Sequence, residues 1–171
     1  KFENIKYLSD AGRDIRRGID SLFLNLLDDG SFFILDSQKS YEENVDSMAT
    51  TLIMQGELDK DFAERIHQRE QYSTMILDQY VAFPHTKNML NKLTLALGVF
   101  PEKLTDEEYK DVKLVIMLGI PEEMENDMVL VRLYDDILTV TKDYHIIEKI
   151  QTMKSYRELL LYIAEENNIF R

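Results

Sequence analysis

The stretch Arg69-Glu-Gln-Tyr-Ser-Thr-Met-Ile-Leu-Asp-Gln-Tyr-Val-Ala-Phe-Pro-His85 decides the reading of this chain. Upstream, Asp59 is placed to cap a helix that carries Phe62, Ala63 and Ile66 on one side and runs to about Glu70. Ser73 and Thr74 fall in the loop that follows. Tyr80-Val-Ala-Phe83 has the composition of a buried strand, and Pro84, with no N–H to give a ladder, stops it. His85 comes next. Proline fixes φ, and a strand terminus hands a side chain to solvent on rigid support. A neutral imidazole, with an unperturbed pKa of ~6.5, is a competent nucleophile near neutrality. His85 is therefore the candidate reactive residue, against the plainer reading of a histidine that finishes a strand.

Working outward, Leu93–Phe100 and Val112–Ile120 are near-continuous apolar runs, the pattern of strands covered on both faces. Phe32–Leu35 is a shorter run of the same type. Ser40-Tyr-Glu-Glu43 has the form of a capping box and opens a helix to about Gln55, stopped by Gly56. Thr105–Glu108 and Ser155–Glu158 repeat the box, the first predicting a short helical turn and the second a helix to Glu166. Met128–Thr139 and Tyr144–Met153 also carry helical spacing. Before all of these, Ile5, Leu8, Gly12, Ile15, Ile19, Leu22 and Leu26 form a 3-and-4 stripe, read as one docked or linking helix ending at Asp28-Asp29-Gly30. Strands bunch in the middle of the chain. The fold class expected is therefore α/β, a mixed central sheet sandwiched between helices.

Composition narrows the function. The chain has 171 residues, enough for one domain with a sizeable core. It contains no cysteine, which removes disulfides, thiolate metal sites and a cysteine nucleophile. The formal net charge of −12 disfavours direct contact with nucleic acid or anionic membrane. No glycine-rich phosphate loop occurs, no apolar run is long enough to span a bilayer, and the N-terminus has no signal-peptide core. A cytoplasmic setting fits. The first residue is Lys1, so a processed chain or a piece of a longer protein is expected.

The stretch reads R-E-x-x-S-T-x(6)-V-A-F-P-H, and this closely resembles the active-site signature of the type-2 enzyme IIA domains of the bacterial phosphoenolpyruvate-dependent sugar phosphotransferase system. These are the mannitol, fructose and nitrogen-regulatory IIA domains. The resemblance covers roughly residues 31 to 166, including the run V-K-L-V-I-M-L-G-I-P, the segment L-V-R-L-Y-D-D-I-L and the closing S-Y-R-E-L-L-L-Y-I. It implies a type-2 IIA fold over residues 31–171, with residues 1–30 as an extra N-terminal helix or linker from an upstream domain. It also implies that His85 accepts a phosphoryl group from the carrier HPr, that Arg69 and Thr74 sit in or near the phosphate pocket, and that a IIB domain is the onward acceptor. Ser73 is a further phosphate contact, or a loop cap. An arginine fork suits phosphate oxygens, and its charge disfavours protonated His85.

Three departures bear on the role. The family's glycine stretch is Met75–Tyr80 here, without glycine. Its isoleucine before proline is Phe83, and Tyr80 and Phe83 are expected to bring bulk close to His85. Members such as the mannitol IIA domain carry a second histidine near the helix after the central strand, where this chain has Pro121–Met128 with Glu125, Asn126 or Asp127 in the approximate place. An acid there opposes phosphate. We therefore expect a phosphohistidine-accepting regulatory domain, of the kind found in transcriptional antiterminators and activators with PTS regulation domains (PRDs). The alternative is an active phosphocarrier between HPr and IIB in sugar uptake. The N-terminal stripe is expected to meet an upstream domain or a second subunit. No cofactor and no metal are expected. His67 points to a different side of its helix from Arg69, His145 opens a helix, Asp135 and Asp136 are expected on a solvated face, and the acidic loop 122–127 matches no calcium motif.

Overall fold

The computed structural model describes residues 21–124 and 126–165. In chain order the elements are α1 (Leu22–Leu26), β1 (Phe32–Ile34), α2 (Tyr41–Met54), α3 (Phe62–Tyr72), β2 (Ile76–Asp78), β3 (Val81–Ala82), β4 (His85–Asn88), β5 (Thr94–Val99), β6 (Leu114–Pro121), α4 (Asp127–Lys142), α5 (Tyr144–Gln151) and α6 (Tyr156–Glu165). Single 3-10 turns lie at Asp29–Ser31 and Glu107–Tyr109.

The strands form one mixed sheet in the order β1-β5-β6-β3-β2, with β4 also on β6. The pairs β1·β5, β3·β6 and β4·β6 are parallel, whereas β5·β6 and β2·β3 are antiparallel. Alternation along the two long strands sorts the core into two layers. Leu95, Leu97, Val99, Leu114, Ile116 and Leu118 face α1, α4, α5 and α6. Ala96, Phe100, Val115 and Met117 face α2 and α3. The expected sandwich is what the chain forms. The sheet-facing Gly98 is required by close approach, because a Cβ there would meet Leu35 Cδ1 at 2.6 Å and Met48 Sδ at 2.9 Å.

The capping box at Ser40 forms as expected: Ser40 Oγ accepts from the Glu43 N–H at 3.0 Å and Glu43 returns to the Ser40 N–H. Gly56, at φ +74°, ends that helix by a conformation glycine adopts without strain. Ser155 Oγ caps Glu158 N–H, but the Glu158 carboxylate reaches Lys154 N–H. Thr105 does not cap: its hydroxyl donates to the Ser37 carbonyl, and Asp106 precedes the turn.

Four expectations are corrected. The N-terminal stripe does not continue as one helix through Leu26, because Ser21 is extended (φ −116°, ψ 121°) and caps a new, short helix through Leu24 N–H; residues 1–20 of the stripe lie outside the described residues. That helix ends at Leu26 rather than at Gly30. Asp59 is not the cap of α3, whose N-cap residue is Asp61. Asp136 is not solvated: its carboxylate accepts from the Ser21 hydroxyl at 3.2 Å and the Phe23 N–H at 3.1 Å, tying α1 to α4, and burial raises its pKa against those bonds. Asp135 is exposed.

Candidate functional site

The strand that carries His85 does not end at Pro84. Val81 pairs with Leu114 and His85 with Leu118, the same offset along β6. β3 and β4 are therefore one line of parallel strand, interrupted for two residues at Phe83-Pro84. Across the break the Phe83 N–H faces away from β6 and donates to the Met75 carbonyl at 2.6 Å, while the Leu118 N–H still reaches the Pro84 carbonyl at 3.0 Å. Proline has no N–H to lose there, so the interruption costs the ladder little.

β2 pairs with β3 but not with β4, so past Pro84 the outer edge of the line has no strand beside it among the described residues. Two arginines of α3 take that place. Arg69 Nη1 donates to the His85 carbonyl at 2.6 Å, and Arg65 Nη2 to the Lys87 carbonyl at 2.8 Å. Residues i and i+4 of a helix lie on one face, and residues i and i+2 of a strand turn their carbonyls to one side. The match of the two periods is what lets one helix cap this edge. Asp59 holds the base of the arrangement: its carboxylate pairs with Arg65 and accepts from the Met89 N–H at 2.9 Å and the Asp61 N–H at 3.1 Å. Burial opposes its ionisation, yet these partners hold its pKa below the ordinary carboxylate value. Buried Asn88 completes the anchor, accepting from Asp59 N–H and donating to the Glu57 and Lys92 carbonyls.

The His85 imidazole lies flat on Phe83, with centroids 4.3 Å apart and planes 15° from parallel. Phe83 in turn meets the edge of Tyr134 from α4 at 6.0 Å. Nδ1 of His85 is 2.7 Å from the Phe83 carbonyl. A carbonyl only accepts, so Nδ1 carries the hydrogen and Nε2 keeps its lone pair. Burial lowers the His85 pKa first, and the Arg69 charge adds to it, outweighing the carbonyl that favours the charged form. The ring is thus neutral at pH 7 with Nε2 nucleophilic.

Around it is an open cleft of about 450 Å³. Arg69, Ser73, Thr74 and His85, the four residues singled out from sequence, all line it, beside Tyr72 and Phe83. Ser73 Oγ makes only a long bond to the Thr74 carbonyl, at 3.4 Å. The cleft is built from α3, the loop after it, β2 and the β3–β4 line, and nothing from Pro121–Met128 lines it among the described residues. In that segment Asn126 caps α4 through the Met128 N–H, and Glu122 pairs with Lys87 at 3.8 Å. Tyr80 corrects another expectation. It sits at the far end of the strand line, against Tyr144 at 4.7 Å, and lines a separate cavity with Lys113. Five steps along the chain separate it from His85, roughly 16 Å in extended backbone. Of the other histidines, His145 is exposed at the start of α5, and His67 faces α2 rather than the cleft, where it meets Asp46.

The family model of the phosphoenolpyruvate-dependent sugar phosphotransferase system, EIIA 2, matches residues 25–166. The chain belongs to this family. Solved structures agree on the fold. A PTS IIA from Streptococcus mutans has a TM-score of 0.63 and 22% identity, covering 80% of this chain and 88% of that one. The nitrogen regulatory protein IIA-Ntr from Neisseria meningitidis has 0.65 and 20%, over 88% and 100%. The mannitol enzyme IIA of Escherichia coli, in complex with phosphorylated enzyme IIB, has 0.62 and 20%, over 81% and 97%. No curated protein matches the chain. A type-2 EIIA domain is a phosphate-accepting component of the system, and among the described residues of this one no helix is long and apolar enough to cross a membrane.

Three features of this EIIA domain escape sequence reading: β4, hidden behind a proline that normally ends strands; the role of Arg65; and β2, in the stretch Met75–Tyr80 where no strand is expected. The signal for the second is the i, i+4 arginine pair, visible only once the strand edge is known to be open.

Proposed function

We propose that His85 is the phosphoacceptor and that the domain works as a phosphorylation-dependent regulatory unit. The observation that carries the first part is the state of the imidazole: neutral, fixed by Phe83, with Nε2 unengaged in a cleft that also holds Arg69. Nε2 attacks the phosphorus of phosphorylated HPr, a nitrogen–phosphorus bond forms, and the bond to the HPr donor atom breaks. Arg69 has further guanidinium hydrogens beyond the one on the His85 carbonyl, and these meet the phosphoryl oxygens. Ser73 and Thr74, both at the rim, supply neutral donors.

The regulatory part rests on what the cleft lacks. Two-way transfer calls for a site that loses phosphate as readily as it gains it, whereas a sensor needs the modified state to persist and alter an interface. Among the described residues no second imidazole lines this cleft, and Phe83 closes one face of the ring. The setting that fits is the IIA-like domain of a PRD-containing antiterminator or activator in the cytoplasm, with HPr as donor. Upstream regulator domains would bind the nucleic acid. The competing role, a carrier passing phosphate to IIB, draws its support from the mannitol enzyme IIA caught with phosphorylated IIB on this same fold. A transfer assay against a panel of IIB domains, with a genuine IIA carrier run in parallel, separates the two. Poor transfer to every IIB is expected; transfer at the carrier's rate to even one makes this domain a carrier.

A further inference from the structure

We propose that Glu42, Asp46 and His67 form a site for one first-row divalent metal ion of the zinc type, bridging α2 and α3. The two carboxylates are four residues apart on α2, so they project from one face, at the exposed rim of its contact with α3. His67 comes from α3 to meet them. One ligand atom from each residue lies within 4.8 Å of the others.

His67 Nε2 is 2.5 Å from Asp46 Oδ1, a hydrogen bond, while Glu42 Oε1 lies 3.9 Å from the other ring nitrogen, Nδ1, and has to move to the Nε2 side to share an ion. Zinc bonds of ~2.0–2.2 Å in tetrahedral geometry hold donor atoms a little over 3 Å apart. Placing an ion between Nε2 and Asp46 opens that pair by less than an ångström and replaces the shared hydrogen with the metal. Glu42 is exposed and long, free to swing in as the third ligand. Three protein ligands leave the remaining positions to water.

Charge points the same way. Among the described residues, no lysine or arginine pairs with Glu42 or Asp46. Glu70, three residues on from His67 along α3, adds another carboxyl whose Oε2 is buried without a hydrogen-bond partner. An imidazole among the donors selects zinc, cobalt or nickel over magnesium and calcium, which prefer oxygen alone.

The test is calorimetric titration of the 171-residue chain with Zn²⁺, and with Co²⁺ as an optical probe. One equivalent of ion per chain is expected, with a visible cobalt band and no response to Mg²⁺. His67→Gln and Asp46→Asn should each weaken binding about 10-fold or more. Glu42→Gln alters an exposed side chain and should weaken it without touching the fold, as circular dichroism checks. Absence of binding overturns the proposal. So does binding that survives His67→Gln, or that is lost instead with His85→Gln or His145→Gln.

Discussion

Arg69→Lys separates a phosphate ligand from a structural cap. Arg69 and Arg65 do the same backbone work one turn apart, on the His85 and Lys87 carbonyls. Only Arg69 lines the cleft. Lysine can satisfy the His85 carbonyl or a phosphoryl oxygen with its single compact charge, but it has no fixed fork that spans both. One charge-assisted hydrogen bond is therefore lost from the transition state. Such bonds are worth about 1.5–3 kcal/mol, which is roughly 10- to 150-fold in rate. Because Arg69 is exposed, the folded state loses little. Arg65→Lys is the control: it disturbs the ion pair with mostly buried Asp59, whose side chain is 10% exposed. We expect it to lower stability by roughly 1–3 kcal/mol, a drop of several degrees in the melting midpoint, and to leave the phosphorylation rate within about twofold. Single-turnover phosphorylation by phospho-HPr, with thermal unfolding of each variant alongside, reads both quantities. If Arg69→Lys phosphorylates at the wild-type rate with an intact fold, Arg69 is only an edge cap and the phosphate role assigned to it is wrong.

Three further outcomes follow from the same geometry. With phosphoenolpyruvate, enzyme I and HPr supplied, His85→Ala should take up no acid-labile phosphate while His67→Ala and His145→Ala keep full uptake; label retained in His85→Ala would move the acceptor elsewhere. The phosphorylation rate needs neutral His85, whose pKa is lowered by burial and then by Arg69, so the acid limb of the pH–rate profile should lie below about 6.5 and move upward in Arg69→Gln; a limb that stays put would show that the Arg69 charge does not reach the ring. Asp59 has a folded pKa below its unfolded one, so its share of stability is present above the ordinary carboxylate value of about 3.9 and lost as pH falls through the lower folded value; urea unfolding from pH 6 to 3 should show a smaller loss in Asp59→Asn than in the parent, and equal losses would contradict the linkage.

How much of this was legible beforehand varies with the range of the interactions involved. The long strands β5 and β6 and the helix α2 were readable because their signals are local: continuous apolar runs, and a serine and glutamate that bond within four residues of each other. The four cleft residues were readable as a motif, although nothing local explains why they meet. Errors gathered where a distant partner outbids a local one. Asp59 looks like a cap but is drawn to Arg65 and Met89 N–H. Asp136 looks solvated until α1 lays its first N–H groups on it. His67 was set aside because it faces away from Arg69, and only the packing of α3 on α2 reveals what it faces instead.

The break at Phe83-Pro84 shows how that long-range order serves the site. A strand uninterrupted through residue 85 would leave β2 room to run on beside it, and the His85 carbonyl would be bonded to a neighbouring strand. Instead the Phe83 N–H ends the pairing on Met75. The Phe83 carbonyl, freed from the ladder, takes the imidazole Nδ1, which fixes the ring and its tautomer together. The carbonyl of His85, now open, draws in Arg69, which brings a guanidinium to the same cleft. One interruption in the ladder thus produces both halves of the site, the oriented nucleophile and the cation beside it. The residue type at 84 matters for the same reason: by the shared offset, the N–H of any other residue there would face the Ile116 carbonyl on β6 and carry the ladder through, whereas proline has none to give. Pro84→Ala is therefore a substitution whose effect falls on the register of His85 before it falls on the core.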